Sequence, residues 1–500
     1  MNRTTRRGFL LAGGAAVAGA AAVGAGALES GGEERTRARI AEPGLRGDER
    51  PNVVILIVDT LRADHVYGDL ARTPNMDELL ASGLRFTRCF PEAMPTVPAR
   101  NSLFTGRRMF PFRGWHDHPG MINSAGWEPF DHLDHSLPSV LRREGWWTAY
   151  VSDNPFFCFA RGFRPFRRSF DQFIGKGGQL GTVAPLASVS ERELRHWVHP
   201  ATVEKNIYLR LRQYLANGNY QHDEGNSWSA RVYGAAARLL GEAARRREPF
   251  AMVVDTYEPH EPWTPPRKYI DLYGDPGYHG PEPSKPPYLP VDSYLNDDNR
   301  EFVLDRMRAL YRAELTLTDR WLGVFLDRLD ALRTGRDTLV VLMGDHGFQF
   351  GEHGWTGKIA SQLHPPLTRV PLVVVDRERR RAGEASRQFA SPHDVAPTLL
   401  QLAGVSPPRA MNGFDLSPLL AGRRPRARPF TYGGYANSFY ARTDRWALTA
   451  VNDLSNMRLY DLRDDPSEHH NLAAVRSDVV DRLWGEVERR TGGNLPVYRR

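Results

Sequence analysis

The chain has 500 residues, of which 41% are hydrophobic and 25% charged, ordinary values for a globular protein. This length suits one large domain and a smaller one. The formal net charge of +7 is too mild to indicate nucleic-acid binding. The two cysteines, Cys89 and Cys158, exclude a disulfide scaffold, and we expect two free thiols, with a single bridge as the alternative.

Residues 1–27 predict an export signal. Residues 5–10, Thr-Arg-Arg-Gly-Phe-Leu, match a twin-arginine motif, and an Ala-, Gly- and Val-rich stretch ends in small residues at 25–27 that suit cleavage. A membrane anchor is the alternative, but the stretch is only weakly hydrophobic. We therefore expect the twin-arginine export machinery as a partner, no permanent membrane span, and a periplasmic, cell-surface or extracellular location in a prokaryote. Residues 28–50 have the composition of a polar linker.

Short apolar runs have the length and β-branched content of strands at residues 53–58, 148–151, 250–254, 339–343 and 370–375. Their near-continuous hydrophobicity predicts burial on both faces, as in a parallel sheet covered by helices. Helices are predicted at 76–81, after Thr73-Pro74, and at 301–332, from i, i+3, i+4 apolar spacing. This alternation predicts an α/β fold over residues 51–405, with a large doubly wound mixed or parallel sheet and helices on both faces.

Two further segments differ from this pattern. Residues 175–247 form a polar and helical insertion, rich in Arg, Trp and Tyr, which is a candidate lid. After residue 405 the pattern shortens, and a strand is predicted at 457–462. We expect residues 406–500 to form a smaller C-terminal α+β subdomain.

Acidic side chains and a histidine follow three of the predicted strands. Asp59 follows Val58, Asp255 follows Val254, and Asp345 and His346 come directly after the strand that ends near Gly344. Ligand sites in open parallel sheets lie at the carboxyl ends of the strands, so these side chains are expected at one edge. Carboxylates and an imidazole at such an edge are candidate ligands for a divalent metal ion.

Several motifs in order along the chain resemble those of the sulfatase family, within the alkaline phosphatase superfamily. Residues 95–107, Pro-Thr-Val-Pro-Ala-Arg-Asn-Ser-Leu-Phe-Thr-Gly-Arg, are similar to the family's nucleophile signature, Cys/Ser-x-Pro-x-Arg with a Leu-x-Thr-Gly-Arg tail. Residues 59–65 resemble its Asp-Thr-Leu-Arg-Ala-Asp-His opening, residues 255–263 its Pro-His-x-Pro-aromatic element, and residues 344–358 its Asp-His-Gly…His…Lys element. The resemblance extends over nearly all of the mature chain and implies the family's fold.

Departures from the family pattern fall at functional positions. Thr96 replaces the Cys or Ser that the family oxidises to formylglycine, so no formylglycine is expected. Thr60 replaces the second Asp of an Asp-Asp pair, and residues 150–155 replace a Gly-Lys-Trp-His element. Residues 363–366, Leu-His-Pro-Pro, replace a Tyr-Glu-Glu run.

The resemblance and the strand-end chemistry together predict the site. One divalent cation is expected, Zn²⁺ or Mn²⁺ rather than Ca²⁺, because an imidazole joins the oxygen ligands. Lipid-A phosphoethanolamine transferases and lipoteichoic-acid synthases similarly use a metal-bound Thr. The predicted metal ligands are Asp59, Thr96, Asp345 and His346, with Thr96 also the nucleophile, activated by the metal at a helix N-terminus that it caps.

Other residues are predicted to contact substrate. Arg100, one turn after Thr96, is expected to pair with Thr96 or with an anionic oxygen, and His260 to contact substrate or donate a proton. His353 and Lys358 are expected as oxyanion contacts, with loop charges as the alternative. Asn154 is either a substrate contact or a turn residue before proline, and His364 is either an added acid/base group or a loop histidine.

Three functions fit these residues. The first is an exported metal-dependent hydrolase that uses Thr96 on a phosphodiester or phosphate ester. The second is a sulfuric ester hydrolase, and the third is an inactive anion- or sugar-binding protein. For the two enzymes, the substrate is expected to be a small-molecule, glycan- or lipid-derived sulfate or phosphate ester.

Overall fold

The computed structural model describes residues 50–498, apart from 180–183, 205, 219–222, 333–336, 377 and 424–426. The predicted export signal and, except for Arg50, the predicted linker lie outside the described residues. Both cysteines are free thiols, as expected. Within the described part of the chain, no helix has the length and apolar character needed to cross a membrane.

The strands and helices of the described residues are numbered in chain order. The strands are β1 (Asn52–Val58), β2 (Leu84–Phe86), β3 (Ala93–Met94), β4 (Trp147–Ser152), β5 (Gln172–Gly175), β6 (Phe250–Thr256), β7 (Thr338–Gly344), β8 (Gln349–Phe350), β9 (Thr356–Gly357), β10 (Leu372–Val375), β11 (Ala385–Ser386), β12 (Thr431–Tyr435), β13 (Ser438–Arg442), β14 (Trp446–Val451) and β15 (Arg458–Asp461). The α-helices are α1 (Ala63–Val66), α2 (Pro74–Ser82), α3 (Thr96–Thr105), α4 (Leu137–Arg143), α5 (Pro155–Phe159), α6 (Arg164–Arg167), α7 (Glu191–His196), α8 (Ile207–Gly218), α9 (Trp228–Ala243), α10 (Arg267–Ile270), α11 (Arg300–Asp330), α12 (Pro365–Thr368), α13 (Val395–Leu402), α14 (Ser417–Leu420) and α15 (Ser477–Thr491).

A mixed sheet with the order β11-β2-β10-β7-β1-β6-β4-β5 forms the centre of the described structure. β1 pairs in parallel with β6 on one side and with β7 on the other, whereas β10 is antiparallel to β7. The five strands predicted from apolar runs are therefore all present, and the predicted mixed α/β fold is confirmed.

Both faces of the sheet are covered by helices. Along β1, Val54, Leu56 and Val58 belong to one buried cluster, and the alternate residues belong to another. The first cluster includes apolar side chains of α9 and α11, and the second includes those of α3, α4 and α13. Successive side chains of a strand point to opposite faces of the sheet. Because both faces are buried here, β1 does not alternate between apolar and polar residues.

A second sheet, with the order β15-β14-β13-β12-β3, contains the C-terminal strands. The predicted strand near 457–462 corresponds to β15. β12 pairs in parallel with β3, a short strand far earlier in the chain, and Tyr435 is the partner of Met94. Because Met94 is two residues before Thr96 in the chain, this pairing brings the C-terminal sheet close to Thr96.

The insertion at 175–247 contributes to the main core through its helical part. Leu211 of α8 and Trp228 at the start of α9 are completely buried in the first cluster. Its role as a lid stays a prediction.

Candidate active site

Three neighbouring strands bring their polar ends together, as the sequence predicts. Asp59 follows β1, Asp255 lies near the end of β6, and Asp345 and His346 follow β7. The parallel register sets Ile57 of β1 beside Asp255, and the Asp59 amide donates to the Thr256 carbonyl at 3.0 Å. The four side chains are buried at the carboxyl edge of the sheet.

A compact group of oxygen and nitrogen donors lies at this edge. The Nε2 atom of His346 is 3.6 Å from Asp59 Oδ1, 3.5 Å from Asp345 Oδ2 and 3.2 Å from Thr96 Oγ1. The His346 Nδ1 atom lies 3.0 Å from the Gly347 carbonyl, which assigns the ring proton to Nδ1 and leaves the Nε2 lone pair facing the oxygens. Burial lowers the pKa of His346 to about 4, so the ring is neutral near pH 7.

This donor set fits a divalent metal ion. Four ligand atoms in a tetrahedron, each about 2.1 Å from an ion, lie about 3.4 Å from one another, close to the spacings around His346 Nε2. Among the described His, Cys, Asp and Glu residues, Asp59, Asp345 and His346 are the one group whose ligand atoms lie close enough together to hold a metal ion, and they are called the metal-binding group below as a candidate site. The Asp59 Oδ2 atom is buried and makes no hydrogen bond, and its charged neighbour is Arg100, whose Nη2 atom lies 3.2 Å away. Thr96 and the two carboxylates therefore lie close enough to His346 to share one ion with it, and ligation by these four residues stays a prediction.

Arg100 lies beneath these ligands and is completely buried. Its guanidinium bonds Asp255 through two nitrogens at 2.7 Å each, Asp345 at 2.5 Å and Asp59 at 3.2 Å. Its Nη1 atom also donates to the carbonyl of Thr96 at 3.2 Å. We expected Arg100 to pair with Thr96 or an anionic oxygen, and its described partners are that carbonyl and three carboxylates.

The charges in this buried group do not balance. Three carboxylates face one guanidinium, and burial and the charge of Asp345 raise the pKa of Asp59 well above its ordinary value. A divalent cation would cancel the two excess negative charges. Asp255 is the third carboxylate around Arg100, and it also accepts a hydrogen bond from the Tyr150 hydroxyl. The sequence identified Asp255 only as an acidic residue at the end of a strand.

Thr60 donates hydrogen bonds to both carboxylates of the candidate metal site. Its hydroxyl donates to Asp59 Oδ1 at 2.8 Å, and its amide donates to Asp345 Oδ1 at 2.9 Å. Thr60 has a φ of 59°, an unfavourable conformation for a β-branched residue. The Tyr311 hydroxyl donates to its carbonyl at 2.9 Å and helps to hold this conformation. The residue that departs from the family's Asp-Asp pair thus positions the ligands.

Thr96 is the first residue of α3, not its cap as predicted. Pro95 occupies the N-cap position, and no side chain caps the helix. Because the first amides of a helix have no partners within it, the Thr96 hydroxyl still lies at the positive end of α3. A tetrahedral anion beside Thr96 would therefore still be favoured by the positive end of the helix.

Lys358 and His260 are brought together beside the metal-binding group. Lys358 Nζ lies 2.6 Å from His260 Nε2 and 3.4 Å from Glu261 Oε2. The Lys358 charge acts to lower the pKa of both Asp59 and His346, consistent with its place at the site. Burial lowers the pKa of His260 to about 3, so this ring is neutral and its Nε2 accepts a hydrogen bond from Lys358. The role of His260 as a substrate contact or proton donor stays a prediction.

Tyr257 and Glu261 contact the Lys358–His260 pair, although the sequence analysis gave neither residue a functional role. The Tyr257 hydroxyl is 2.9 Å from His260 Nε2, and the His260 Nδ1 atom is 2.8 Å from the Glu261 carbonyl. Glu261 lies within the Pro-His-x-Pro element, and Tyr257 comes two residues before it. Their closeness to this element in the sequence was the signal that could have identified them.

His353 and His364 lie against each other. Their rings stack with centroids 3.6 Å apart, and the His364 Nδ1 atom is 2.8 Å from Glu468 Oε2. Among the described residues, neither histidine has a hydrogen bond, ion pair or ring contact with the metal-binding group. The oxyanion role of His353 and the acid/base role of His364 therefore gain no support from these contacts.

Asn154 caps α5, where its Oδ1 accepts from the Phe156 amide at 3.2 Å. This contact matches the alternative of a turn residue before proline. Its Nδ2 atom is buried without a hydrogen-bond partner in the described structure. The predicted substrate contact of Asn154 thus stays a prediction.

A sequence profile described as Sulfatase matches residues 51–405. The chain belongs to the sulfatase family. A second profile, described as N-sulphoglucosamine sulphohydrolase, C-terminal, matches residues 351–491. The protein is a sulfatase-family ester hydrolase of the alkaline phosphatase superfamily.

Relatives of this sulfatase-family chain cover most of its length. It is 27% identical over 479 residues to the uncharacterized sulfatase YidJ of Escherichia coli K12, covering 88% of each chain. It is 26% identical over 496 residues to the multifunctional alkaline phosphatase superfamily protein PehA of Trinickia caryophylli, covering 85% of this chain and 91% of the relative.

Solved structures share the fold. The phosphonate monoester hydrolase of Agrobacterium radiobacter aligns with a TM-score of 0.65 and 22% identity, over 89% of this chain and 95% of the other. A protein solved in complex with its substrate D-glucosamine-2-N,6-O-disulfate also aligns with a TM-score of 0.65, at 18% identity, over 89% of this chain and 98% of the other. At these identities the comparison supports the fold alone.

The role of Thr60 can be tested with two substitutions. Thr60→Val keeps the branched shape but removes the hydroxyl bonded to Asp59, so we expect affinity for the divalent ion to fall about 10–100-fold. Thr60→Ser keeps the hydroxyl and should lose no more than a few-fold. Competition with a chelator measures the affinities, and thermal unfolding checks that both variants are folded. Wild-type affinity in Thr60→Val would show that the Thr60 hydroxyl does not orient the ligand.

Proposed function

We propose that this sulfatase-family hydrolase is an exported, metal-dependent enzyme that uses Thr96 as its nucleophile and acts preferentially on phosphodiesters. The observation that carries this proposal is the 3.2 Å approach of Thr96 Oγ1 to His346 Nε2, within the Asp59–Asp345–His346 group. The hydroxyl occupies the family's nucleophile position at the positive end of α3. An unmodified threonine there requires direct attack by its own oxygen.

Asp59, Asp345, His346 and Thr96 would hold the metal ion. When bound, a divalent cation supplies positive charge that lowers the pKa of a neighbouring hydroxyl and stabilises charge on the ester. Carboxylates with one neutral imidazole favour Zn²⁺ or Mn²⁺, and Ca²⁺ is the alternative because it prefers oxygen ligands alone.

The reaction has two displacement steps. In the first, the Thr96 oxygen attacks phosphorus, the Oγ1–P bond forms, and the bond from phosphorus to the leaving oxygen breaks. The Thr96 proton passes to water, and Lys358 donates a proton to the leaving oxygen while remaining hydrogen-bonded to His260. In the second, a water oxygen bonds to phosphorus and gives a proton to Lys358, the Oγ1–P bond breaks, and the Thr96 oxygen takes a proton from solvent.

The charge at the site suits an ester centre with one negative charge. A divalent ion and Arg100 together cancel the three carboxylates. Lys358 and Lys285 lie 3.4 and 3.6 Å from the Glu261 carboxylate. Glu261 cancels one of these two positive charges, so about one positive charge is left for the ester. Phosphodiesters and sulfate monoesters carry one negative charge near pH 7, whereas phosphate monoesters carry up to two. This balance disfavours the monoester of phosphate.

Sulfuric ester hydrolysis is the second candidate, and the family profile and relatives such as the arylsulfatase of Clostridium perfringens favour it. The second step distinguishes the two candidates. A formylglycine hydrate releases sulfate by collapsing to an aldehyde, whereas a threonine ester must be hydrolysed by water. An unmodified threonine is similar to the metal-bound Thr of the lipid-A phosphoethanolamine transferases and lipoteichoic-acid synthases, which cleave phosphodiesters, and this makes the phosphodiester the first choice.

Export rests on the twin-arginine motif of the leader. We expect an Arg6→Lys, Arg7→Lys double variant to remain in the cytoplasm of a host with a twin-arginine pathway, because recognition depends on the arginine pair. Cell fractionation and immunoblotting measure the distribution. An Arg37→Lys, Arg39→Lys double variant, with the same changes beyond the leader, is the control. Export of the Arg6→Lys, Arg7→Lys variant at the wild-type level would contradict this route.

The nucleophile can be identified by substitution and mass spectrometry. Thr96→Ala should lower kcat at least about 10³-fold because the attacking oxygen is lost, and Thr96→Ser should keep measurable activity. Brief exposure of the wild type to substrate, followed by acid quenching, should leave a phosphate or sulfate adduct on the tryptic peptide that contains Thr96. Thr105→Ala in the same helix is the control. Full activity of Thr96→Ala would show that water attacks directly.

The metal can be identified by elemental analysis of protein purified without chelators. We expect about one Zn²⁺ or Mn²⁺ per chain, and loss of that ion in Asp345→Asn because a ligand charge is removed. Asp464→Asn, at an exposed position, should keep it. Stoichiometric Ca²⁺ without a transition metal would contradict the preferred identity.

The transferred group can be identified with three esters that share one aryl leaving group. We expect kcat/KM for the bis-aryl phosphate to exceed that for the aryl phosphate and the aryl sulfate by at least about tenfold, equivalent to about 1.4 kcal/mol of transition-state stabilisation. The same measurements on Thr96→Ala correct for contaminating esterases. If the aryl sulfate had the highest kcat/KM of the three esters, sulfuric ester hydrolysis would be the function.

A further inference from the structure

A cavity of about 720 Å³ opens between the insertion and the segment that follows the Pro-His-x-Pro element. Residues between 190 and 197 of the insertion line one side, and residues between 265 and 281 line the other. The volume lies in the range of roughly 300–1,000 Å³ that is typical of pockets for small organic ligands.

The cavity is separate from the candidate active site. None of the described residues that line it has a hydrogen bond, ion pair or ring contact with Thr96, Lys358 or His260, or with the metal-binding group. A ligand held here is therefore bound by a different set of side chains from those that surround the nucleophile.

The two walls of the cavity are tied to each other. The Glu282 amide donates to the His196 carbonyl at 2.6 Å, and the Ser284 hydroxyl donates to the Trp197 carbonyl at 2.7 Å. The Glu282 side chain is completely buried and accepts a hydrogen bond of 3.0 Å from Arg306 Nε of α11. These contacts between distant segments hold the cavity open in one shape, so a ligand does not have to assemble it.

The buried part of the lining is apolar. Trp197 and Ile270 are 4% and 2% exposed, and Pro265 and Pro266 are buried beside them. The His196 ring meets Trp197 edge to face with centroids 4.8 Å apart. Burial and the charges of neighbouring arginines lower the pKa of His196, so this ring is neutral near pH 7. These side chains together offer a surface on which an aromatic ring can pack.

Three arginines line the same cavity. Arg192 and Arg195 lie three residues apart on α7 and so share a face of the helix. Both are exposed, and neither has a hydrogen bond, ion pair or ring contact within the described part of the chain. On the opposite wall, Arg267 donates to the carbonyls of Tyr278 and Pro276, at 2.5 and 2.6 Å, which fixes its guanidinium. The cavity thus presents one held arginine and two whose donors are open to a ligand.

The charges around the cavity suit a ligand with one negative charge. Arg192, Arg195 and Arg267 contribute three positive charges. Glu193, which also lines the cavity, and Asp271, 2.5 Å from Arg267, cancel two of them. The one positive charge that remains attracts a monoanion and repels a cation.

We propose that this cavity is a second ligand site, which binds an aromatic monoanion such as an aryl carboxylate or aryl sulfonate. The ring packs on the apolar lining around Trp197, and the anionic group pairs with Arg192 and Arg195, whose planar guanidinium groups match its oxygens. This site gives the Arg- and Trp-rich insertion a binding role. It goes beyond the proposed function, because no step of ester hydrolysis involves these residues.

Three ligands that share one ring system test the charge preference. We expect the anion 2-naphthoate to bind at least about tenfold more tightly than neutral 2-naphthamide or cationic 2-naphthylmethylammonium, because only the anion pairs with the open arginines. Isothermal titration calorimetry at pH 7 and low ionic strength measures the affinities. Asp345→Asn should bind 2-naphthoate as the wild type does, since the cavity is separate from the metal-binding group. Equal binding of the three ligands, no saturable binding of 2-naphthoate, or its loss in Asp345→Asn would overturn the proposal.

Substitution of the arginine pair tests the place of binding. Arg192→Glu, Arg195→Glu should weaken 2-naphthoate binding at least about tenfold, and Arg192→Lys, Arg195→Lys should stay within a few-fold of the wild type, because the charge is retained. Arg161→Glu, Arg164→Glu is the matched control, since these arginines are also exposed, also three residues apart, and do not line the cavity.

Thermal unfolding identifies variants that fail to fold. If charge reversal prevents folding, Arg192→Gln, Arg195→Gln provides the decisive measurement, and we expect it to bind 2-naphthoate at least about fivefold more weakly than the wild type. Wild-type affinity in a folded variant without either arginine charge would overturn the assigned site.

Turnover separates this site from the active site. Arg192→Glu, Arg195→Glu should keep the wild-type kcat/KM for aryl esters, because neither arginine contacts the candidate active site. A parallel loss of hydrolysis and of 2-naphthoate binding would show that both occur at one site and would overturn the proposal. If 2-naphthoate binds as expected but no ester is hydrolysed, the second site stands and the proposed ester chemistry is wrong.

Discussion

One buried guanidinium holds the active site together. Arg100 comes from α3, whereas its partners Asp59, Asp255 and Asp345 come from three adjacent strands of the main sheet. Loss of one partner of a buried ion pair costs about 3–5 kcal/mol, because the remaining charges are left without compensation. The same interaction therefore fixes α3 on the sheet edge and sets the position of Thr96, one turn before Arg100.

The imbalance of this group gives the site its chemistry. One guanidinium cannot neutralise three carboxylates, all of which lie within 3.2 Å of Arg100. Thr60 holds the Asp59 and Asp345 carboxylates in one orientation, at the expense of an unfavourable backbone conformation. Backbone strain and unbalanced charge in a buried cluster are typical of functional sites rather than of groups that only stabilise the fold.

The C-terminal sheet contributes to the same site through a single short pairing. β3 carries the chain directly into Thr96, and its pairing with β12 brings Tyr435 and the following turn beside the nucleophile. Residues of the candidate site are thus held by two sheets. The strand-end acids follow strands of the first sheet, whereas β3, which leads into Thr96, belongs to the second.

The sequence by itself determined the main strands, the α/β class and the strand-end acids, because burial of whole strands and the residues that follow them are local properties of the chain. The ordered motifs also located Thr96, Asp59, Asp345, His346 and Lys358, and the comparisons confirm the family. Only the tertiary structure decided which partners each side chain takes. The pairing of Arg100 with Asp255, of Lys358 with His260 and of Tyr435 with Met94 joins residues about 100 to 340 positions apart. The helix position of Thr96 and the stacking of His353 on His364 likewise depend on packing between segments, for which a single sequence carries no periodic signal.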